Sequence, residues 1–282
     1  MLISEALILG QNNLKQKGVN SHRIDALLLL CHCLSLSKEE IIFNPGRLLT
    51  SDQESNFISL LTRRENREPI SHILGRREFF GNDFIVNSNV LDPRPDSETL
   101  VEMALEIFPN RNADLKILEL GVGSGCLILT ILKNLPFSSG IGVDVSKAAL
   151  EIAKNNATAL NLLSRIEFIQ SDWFEDLKIR DFDLIISNPP YIKTSEISHL
   201  QEEVKNFEPN LALDGGDDGL FCYQKIALKA KEFLKESGFV ILEIGQNQES
   251  DVIEIFTNNG LEFVKDKKDL SGIIRCLTFK RA

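Results

Sequence analysis

The chain has 282 residues, 43% hydrophobic and 26% charged, an ordinary globular composition with room for one large domain or two smaller ones. No apolar run reaches the ~20 residues that span a bilayer, MLISEALILG carries Glu5 and no basic leader, and five scattered cysteines make no disulfide framework, so a membrane span, a secretion signal and an oxidising compartment are all excluded in favour of a cytoplasmic setting. The net charge of −10 is uneven: residues 1–80 hold ten Lys/Arg and nine Asp/Glu, leaving 21 against 32 for residues 81–282, a poor balance for gripping a phosphate backbone.

In chain order, residues 1–72 read as a small helical domain. Ile3, Leu7 and Leu14, then Ile24, Leu27, Leu28 and Leu30, recur at helical spacing. Asn44-Pro45-Gly46 breaks the pattern, and Ser51-Asp52 is placed to cap a helix through FISLLTRRENR. Cys31-His32-Cys33 has no second ligand pair at zinc spacing, so it is read as helix and no metal is expected. Residues 73–95 form a connector in which aromatic and β-branched residues flank Gly81-Asn82-Asp83, a hairpin pattern. DPRPDSE follows, with Asp96 or Ser97 as the cap of a helix through TLVEMALEIF. From residue 116 strands and helices alternate. KILEL, GIGVDV, RIEFIQSD, FDLIISN, FVILEIG and IIRCLTFK read as strands, with helices between, including GLFCYQKIALKAKEFLKESG. Such alternation implies a parallel sheet covered on both faces, with ligands outside the carboxyl ends of its strands.

Those ends carry the chemistry. The first leads into Glu119-Leu120-Gly121-Val122-Gly123-Ser124-Gly125, a glycine-rich turn that brings the backbone close to a ligand. The second ends at Asp144, an acceptor for ribose hydroxyls; the third at Asp172-Trp173, an acid beside the sole indole, suited to an adenine. The fourth ends at Asn188-Pro189-Pro190-Tyr191. Each has a plainer alternative: a tight turn, a helix cap, a core tryptophan, a strand-ending asparagine. Four in chain order, each closing a successive strand, favour one site.

This series resembles the class I S-adenosylmethionine-dependent methyltransferases that act on a planar amino nitrogen. It is most similar to the release-factor glutamine methyltransferases (the HemK/PrmC family). LGRREFFGNDFIVNSNVLDPRPDSETLVE resembles that family's connector, and FEPNLALDGGDDGL the segment after its Asn-Pro-Pro-Tyr loop. Asp92 stands where the family usually has an apolar residue, and Asp96 and Ser97 where it often has Glu and Thr. The resemblance implies a seven-stranded Rossmann-like α/β domain over residues 96–282, with residues 1–72 as a substrate-recognition domain. It implies S-adenosylmethionine as cofactor, held by Glu119, Gly121, Val122, Gly123, Ser124, Gly125, Asp144, Asp172, Trp173 and Asn188. Asn188, Pro189, Pro190 and Tyr191 would receive the substrate, with Asn188, Pro189 and Tyr191 catalytic.

The implied reaction is methyl transfer to the side-chain amide nitrogen of the glutamine in the Gly-Gly-Gln loop of bacterial class I peptide chain release factors, by a monomer that binds no nucleic acid. Arg63, Arg64, Arg67, Arg76 and Arg77, interspersed with acids, read either as a docking face or as a solvated one. The chief rival is a methyltransferase of exocyclic amino groups of DNA or RNA bases, which needs the same loop but a basic surface. A nicotinamide dehydrogenase is disfavoured because Cys126 leaves the glycine fingerprint incomplete. A noncatalytic cofactor-binding module is disfavoured by the intact Asn-Pro-Pro-Tyr loop.

Overall fold

The structure, a computed structural model, describes residues 1–282. The chain opens with helices α1 (Ile3–Gln16), α2 (His22–Leu34), α3 (Lys38–Phe43), α4 (Ser51–Glu65) and α5 (Ile70–Leu74). A hairpin follows, β1 (Arg76–Phe79) and β2 (Asn82–Ile85), then α6 (Glu98–Ile107), β3 (Lys116–Leu120) and α7 (Cys126–Asn134). Next come β4 (Ser139–Asp144), α8 (Lys147–Ala159), β5 (Ile166–Gln170), β6 (Phe182–Ser187) and α9 (Glu202–Phe207). The chain closes with α10 (Phe221–Phe233), β7 (Leu234–Glu243), α11 (Glu249–Asn258), β8 (Leu261–Lys268) and β9 (Ile274–Arg281). No helix is long and apolar enough to cross a membrane. Two compact units result: residues 1–76 with 201–207, and residues 77–200 with 208–282.

The first unit is all helix. Its apolar stripes bury Leu14, Ala26, Leu29, Leu30, Phe57 and Leu61 in one core. The cap of α4 is Thr50, one residue before the expected Ser51-Asp52. The Thr50 hydroxyl accepts from Gln53 N at 3.2 Å while Gln53 Oε1 accepts from Thr50 N at 3.1 Å, the reciprocal box that Thr-x-x-Gln encodes. The arginines are largely committed inside the fold. Arg63 grips Glu68, buried Arg64 donates to Asp25 and Glu203, and Arg67 donates to Glu203. Glu203 lies on α9, so the excursion after the Asn-Pro-Pro-Tyr loop is held as part of this unit.

The second unit is a seven-stranded sheet in the order β5-β4-β3-β6-β7-β9-β8, with apolar cores on both faces. Three features differ from the sequence reading. The sheet is mixed, since β9 runs antiparallel to both β7 and β8. The seventh strand, LEFVKDKK, carries no apolar run because it is a sheet edge whose alternate residues face water, and edges carry charge. The helix through FCYQKIALKAKEF stops at Phe233. Its supposed tail, KESG, belongs to β7, where a register shift against β6 absorbs it between the pairs Phe182–Leu234 and Leu184–Phe239. The hairpin contributes Phe79 and Phe84 to the core, and Asn156 on α8 bonds both the N–H and the carbonyl of Ile85.

Strand order reverses between β3 and β6, the place where open α/β sheets bind ligands. The two strands pair in register up to Leu120–Ser187, and the Ser187 hydroxyl donates to Leu120 O at 2.7 Å. On the far side of β6, Ser187 pairs with Leu242. Gly121, Asn188 and Glu243 therefore leave three adjacent strands at the same level.

Candidate active site

A cavity of about 410 Å³ opens at these strand ends, wholly within the second unit. Glu119, Gly121, Val122, Gly123, Ser124, Asp144, Asp172, Trp173, Asn188 and Pro190, all expected from the sequence, line it. Gly125, Pro189 and Tyr191 do not. Gly125 starts α7, where an added Cβ would sit 3.0 Å from Leu129. Pro189 is buried, and the half-buried Tyr191 ring packs on the core.

The glycine turn is built for close approach. Gly121 and Gly123 have φ of 71° and 51°, where a side chain would be strained, and nothing stands within 4 Å above either. Asp144 braces the turn: its Oδ2 accepts from Gly123 N and its Oδ1 from Ser146 N, each at 2.9 Å. Burial holds the Asp144 carboxyl above its ordinary value against those hydrogen bonds. Glu119 is buried, accepts from Ile128 N at 3.0 Å, and is pushed well upward by burial, with nearby Asp144 adding to the shift. Trp173 adopts φ of 52°, rare for a bulky residue and the kind of strain that collects at binding sites.

The Asn-Pro-Pro-Tyr tip is fixed from three sides. Gln248 Nε2 donates to Tyr191 O at 3.1 Å, while Ile192 N donates to Leu213 O and Gly215 N to Ile192 O. A Cβ on Gly215 would lie 2.8 Å from Tyr191 Cα and 2.9 Å from Pro190 O, so only glycine lets the Asp214-Gly215-Gly216 segment lie against the tip. The Pro189 carbonyl enters no backbone hydrogen bond. The Asn188 amide has one protein partner: its Nδ2 donates to Ser97 Oγ at 3.2 Å. Ser97 in turn donates to Glu243 Oε2 at 2.5 Å, and Tyr191 OH donates to Glu243 Oε1 at 3.2 Å. Glu243 is buried, which raises its carboxyl to about 7 against the pull of these two donors.

Two domain families match the chain: the PrmC N-terminal domain over residues 5–75, and the methyltransferase small domain over residues 96–237. A release factor glutamine methyltransferase of Agrobacterium fabrum is 42% identical over 282 residues, covering 99% of this chain and 97% of the relative. The chain belongs to the release factor glutamine methyltransferases. A second member, from Rhodospirillum rubrum, is 40% identical and covers 100% of this chain and 86% of its own. The fold also matches a solved methyltransferase of Pyrococcus furiosus, with a TM-score of 0.53, 17% identity, and coverage of 80% of this chain and 98% of that one.

The cofactor of this methyltransferase family is S-adenosylmethionine, and the cavity residues fit it. Open space above two glycines admits a ligand onto bare backbone, and Asp144 keeps lone pairs beyond those used by Gly123 and Ser146.

Two site residues, Ser97 and Glu243, escaped the sequence reading in their site roles. Ser97 holds the N-cap position of α6, as expected, but its side chain makes no cap bond and serves Glu243 and Asn188 instead. Glu243 closes β7, so the strand-end rule that found the other acids pointed to it as well. Arg94, also on the cavity wall, is held by both oxygens of Glu208 at 2.7 Å. Buried Asp92 sits 3.9 Å from both Arg77 and Arg94. Both approach Oδ2, while the buried Oδ1 has no hydrogen-bond partner.

Proposed function

We propose that this chain transfers a methyl group to the side-chain amide nitrogen of the glutamine in the Gly-Gly-Gln loop of bacterial class I peptide chain release factors. The observation that carries the reading is the pairing of a rigid Asn-Pro-Pro-Tyr tip with full-length relatives named for that reaction. A protein substrate rather than a nucleic acid is favoured by the acidic balance of residues 81–282. The helical first unit is the second contact for a folded substrate, and five free cysteines fit a reducing cytoplasm.

An amide nitrogen is a poor nucleophile because its lone pair is delocalised into the carbonyl. The reaction therefore needs the nitrogen aligned and its lone pair turned outward. Asn188 Oδ1, which no protein donor occupies, and the free Pro189 carbonyl are the acceptors that receive the substrate NH2 group. Pro189 and Pro190 hold them with little freedom to lose. When bound, S-adenosylmethionine supplies a methyl group already activated by its sulfonium charge. Positioning of this kind supplies up to roughly 7–11 kcal/mol in well-oriented systems. No strong base is required, since the proton leaves after the new bond has formed. Tyr191 anchors the tip from behind through Glu243 rather than covering the substrate.

Asp144 and the glycine turn act on cofactor binding. Asp144→Ala is expected to weaken S-adenosylmethionine binding by about 10- to 100-fold, the size of a lost hydrogen bond to a charged group. Turnover at saturating cofactor should stay within about threefold. Calorimetric titration beside initial rates separates the two, and a collapse of saturated turnover would contradict the assignment.

The direct test is mass spectrometry with peptide mapping of an unmethylated bacterial release factor after incubation with the enzyme and S-adenosylmethionine. One added methyl on the Gly-Gly-Gln glutamine is expected. Label appearing instead in DNA or ribosomal RNA would overturn the protein-substrate reading while leaving the fold and family intact.

A further inference from the structure

We propose that Ser97 and Glu243 are positioning residues that set which end of the Asn188 amide faces the substrate. The inference rests on the reading of Asn188 given above and extends it to two residues outside the Asn-Pro-Pro-Tyr loop.

An asparagine amide can be flipped by half a turn with almost no change in shape. The flip exchanges an acceptor for a donor, so its orientation follows from its partners. For a substrate NH2 group only the acceptor end is productive; an NH2 facing another NH2 would repel it. Neither Asn188 nor its prolines settle this choice. The neighbouring strand end does.

Ser97 Oγ has one hydrogen. Glu243 meets a hydroxyl at each oxygen, Ser97 Oγ at 2.5 Å and Tyr191 OH at 3.2 Å, and in its ionised form it has no hydrogen of its own, so Oε2 takes the one on Ser97. Ser97 Oγ is left with lone pairs alone toward Asn188, 3.2 Å away, so the group it meets there must be the Asn188 NH2. Oδ1 is thereby turned away from Ser97, with no protein donor to occupy it. Tyr191 OH, donating to the other carboxylate oxygen at 3.2 Å, reinforces Glu243 as an acceptor on both sides. The direction of donation runs one way through the chain, from Asn188 to Ser97 to Glu243. Reverse it, with a proton on Glu243 donated to Ser97, and Ser97 would donate to Asn188 Oδ1 and consume the catalytic acceptor.

The backbone explains why these three meet. Ser187 and Leu242 pair across β6 and β7, so Asn188 and Glu243 are the next residues of adjacent parallel strands. Ser97 arrives from the 3-10 turn Pro95–Ser97 ahead of α6, with its hydroxyl free of capping duty. All three of Ser97, Glu243 and the Ser97-facing end of Asn188 are packed within the second unit, and Ser97 and Glu243 are buried. Ser97 and Asn188 line the cavity while Glu243 lies behind them, so a relay fixed at its buried end presents one orientation to the site.

The test compares Ser97→Ala and Ser97→Thr with the parent enzyme, using the release factor as substrate. Ser97→Ala removes one oxygen and no packing carbon, so it leaves polar groups unpaired without opening a cavity in the core. It is expected to lower kcat by about 10- to 50-fold with the Kd for S-adenosylmethionine unchanged within about threefold, and Ser97→Thr to restore kcat to within about threefold. An independent readout uses no substrate. In 15N-labelled enzyme the Asn188 side-chain NH2 gives a resonance pair whose shift and solvent exchange report its hydrogen bond. Ser97→Ala is expected to move that pair and speed its exchange, and Ser97→Thr to leave it near the parent position. If Ser97→Ala keeps full kcat, or loses kcat and cofactor affinity in equal measure, the proposal is overturned. An unmoved Asn188 resonance in Ser97→Ala overturns it as well. Parent enzyme with no activity on the release factor would defeat the substrate reading instead, and the resonance comparison would still decide this inference.

Discussion

Asn188→Ala is expected to lower methyl-transfer turnover by about 10²- to 10³-fold, the range found when one preorganised polar group is removed from a transition state. S-adenosylmethionine affinity is expected to change by less than about threefold. The asymmetry follows from what Asn188 touches. Its Nδ2 is committed to Ser97, its Oδ1 has no protein partner, and its backbone ends a buried strand. Truncation therefore removes an acceptor without opening the core or disturbing the glycine turn, which is braced separately by Asp144. The interaction also gains strength as the amide nitrogen gives up its lone pair and its N–H groups become more acidic. It is thus worth more in the transition state than in the ground state and acts on kcat. Single-turnover rates with saturating cofactor, set beside calorimetric titration, measure the two effects apart. Equal losses in both would mean that Asn188 serves cofactor binding, and the assigned role would be wrong.

The features legible in the sequence share a physical cause. Gly121-Val122-Gly123, Asp144, Asp172-Trp173 and Asn188-Pro189-Pro190 each close or follow a strand and interrupt its pattern, and all of them except Pro189 line one cavity. What was missed depends on side-chain partners at long range. Ser97 lies 146 residues from Glu243 and 91 from Asn188, and nothing local distinguishes a serine that caps a helix from one that relays a hydrogen bond. The capping difference at α4 is local instead: Thr50-x-x-Gln53 forms the reciprocal box one residue ahead of Ser51-Asp52. The edge strand β8 was invisible because a half-solvated strand rich in Lys and Asp lacks the apolar signal by which its buried neighbours are read. The arginine-rich run near residue 64 looked like surface because composition cannot say which charges are paired indoors.

Arg64→Met is expected to reduce the stability of the helical unit by about 3–5 kcal/mol, the range for removing one partner of a buried ion pair. Arg64 and Asp25 are 5% and 2% exposed, and Arg64 Nε donates to Asp25 Oδ2 at 2.8 Å. Its Nη1 also donates to Glu68 O at 3.2 Å, and its Nη2 to Glu203 Oε1 at 3.2 Å. One guanidinium thus holds α2, the end of α4 and α9 together, using several donors of its fork. Methionine fills much of the same volume, so the loss is electrostatic. Asp25 keeps Ser21 Oγ at 2.7 Å but loses its only cation. If that is the mechanism, the double variant Asp25→Leu with Arg64→Met should recover most of the loss, because a buried pair replaced by apolar residues is often neutral. Hydrogen exchange on the full-length chain reads the effect locally. Amide protection in α2 and α4 should fall by roughly 10²- to 10³-fold or more in Arg64→Met, while β3 and β6 keep theirs. Equal loss across both units would show that the pair supports the whole molecule. No recovery in the double variant would show that the missing backbone and Glu203 contacts, rather than the stranded carboxylate, set the penalty.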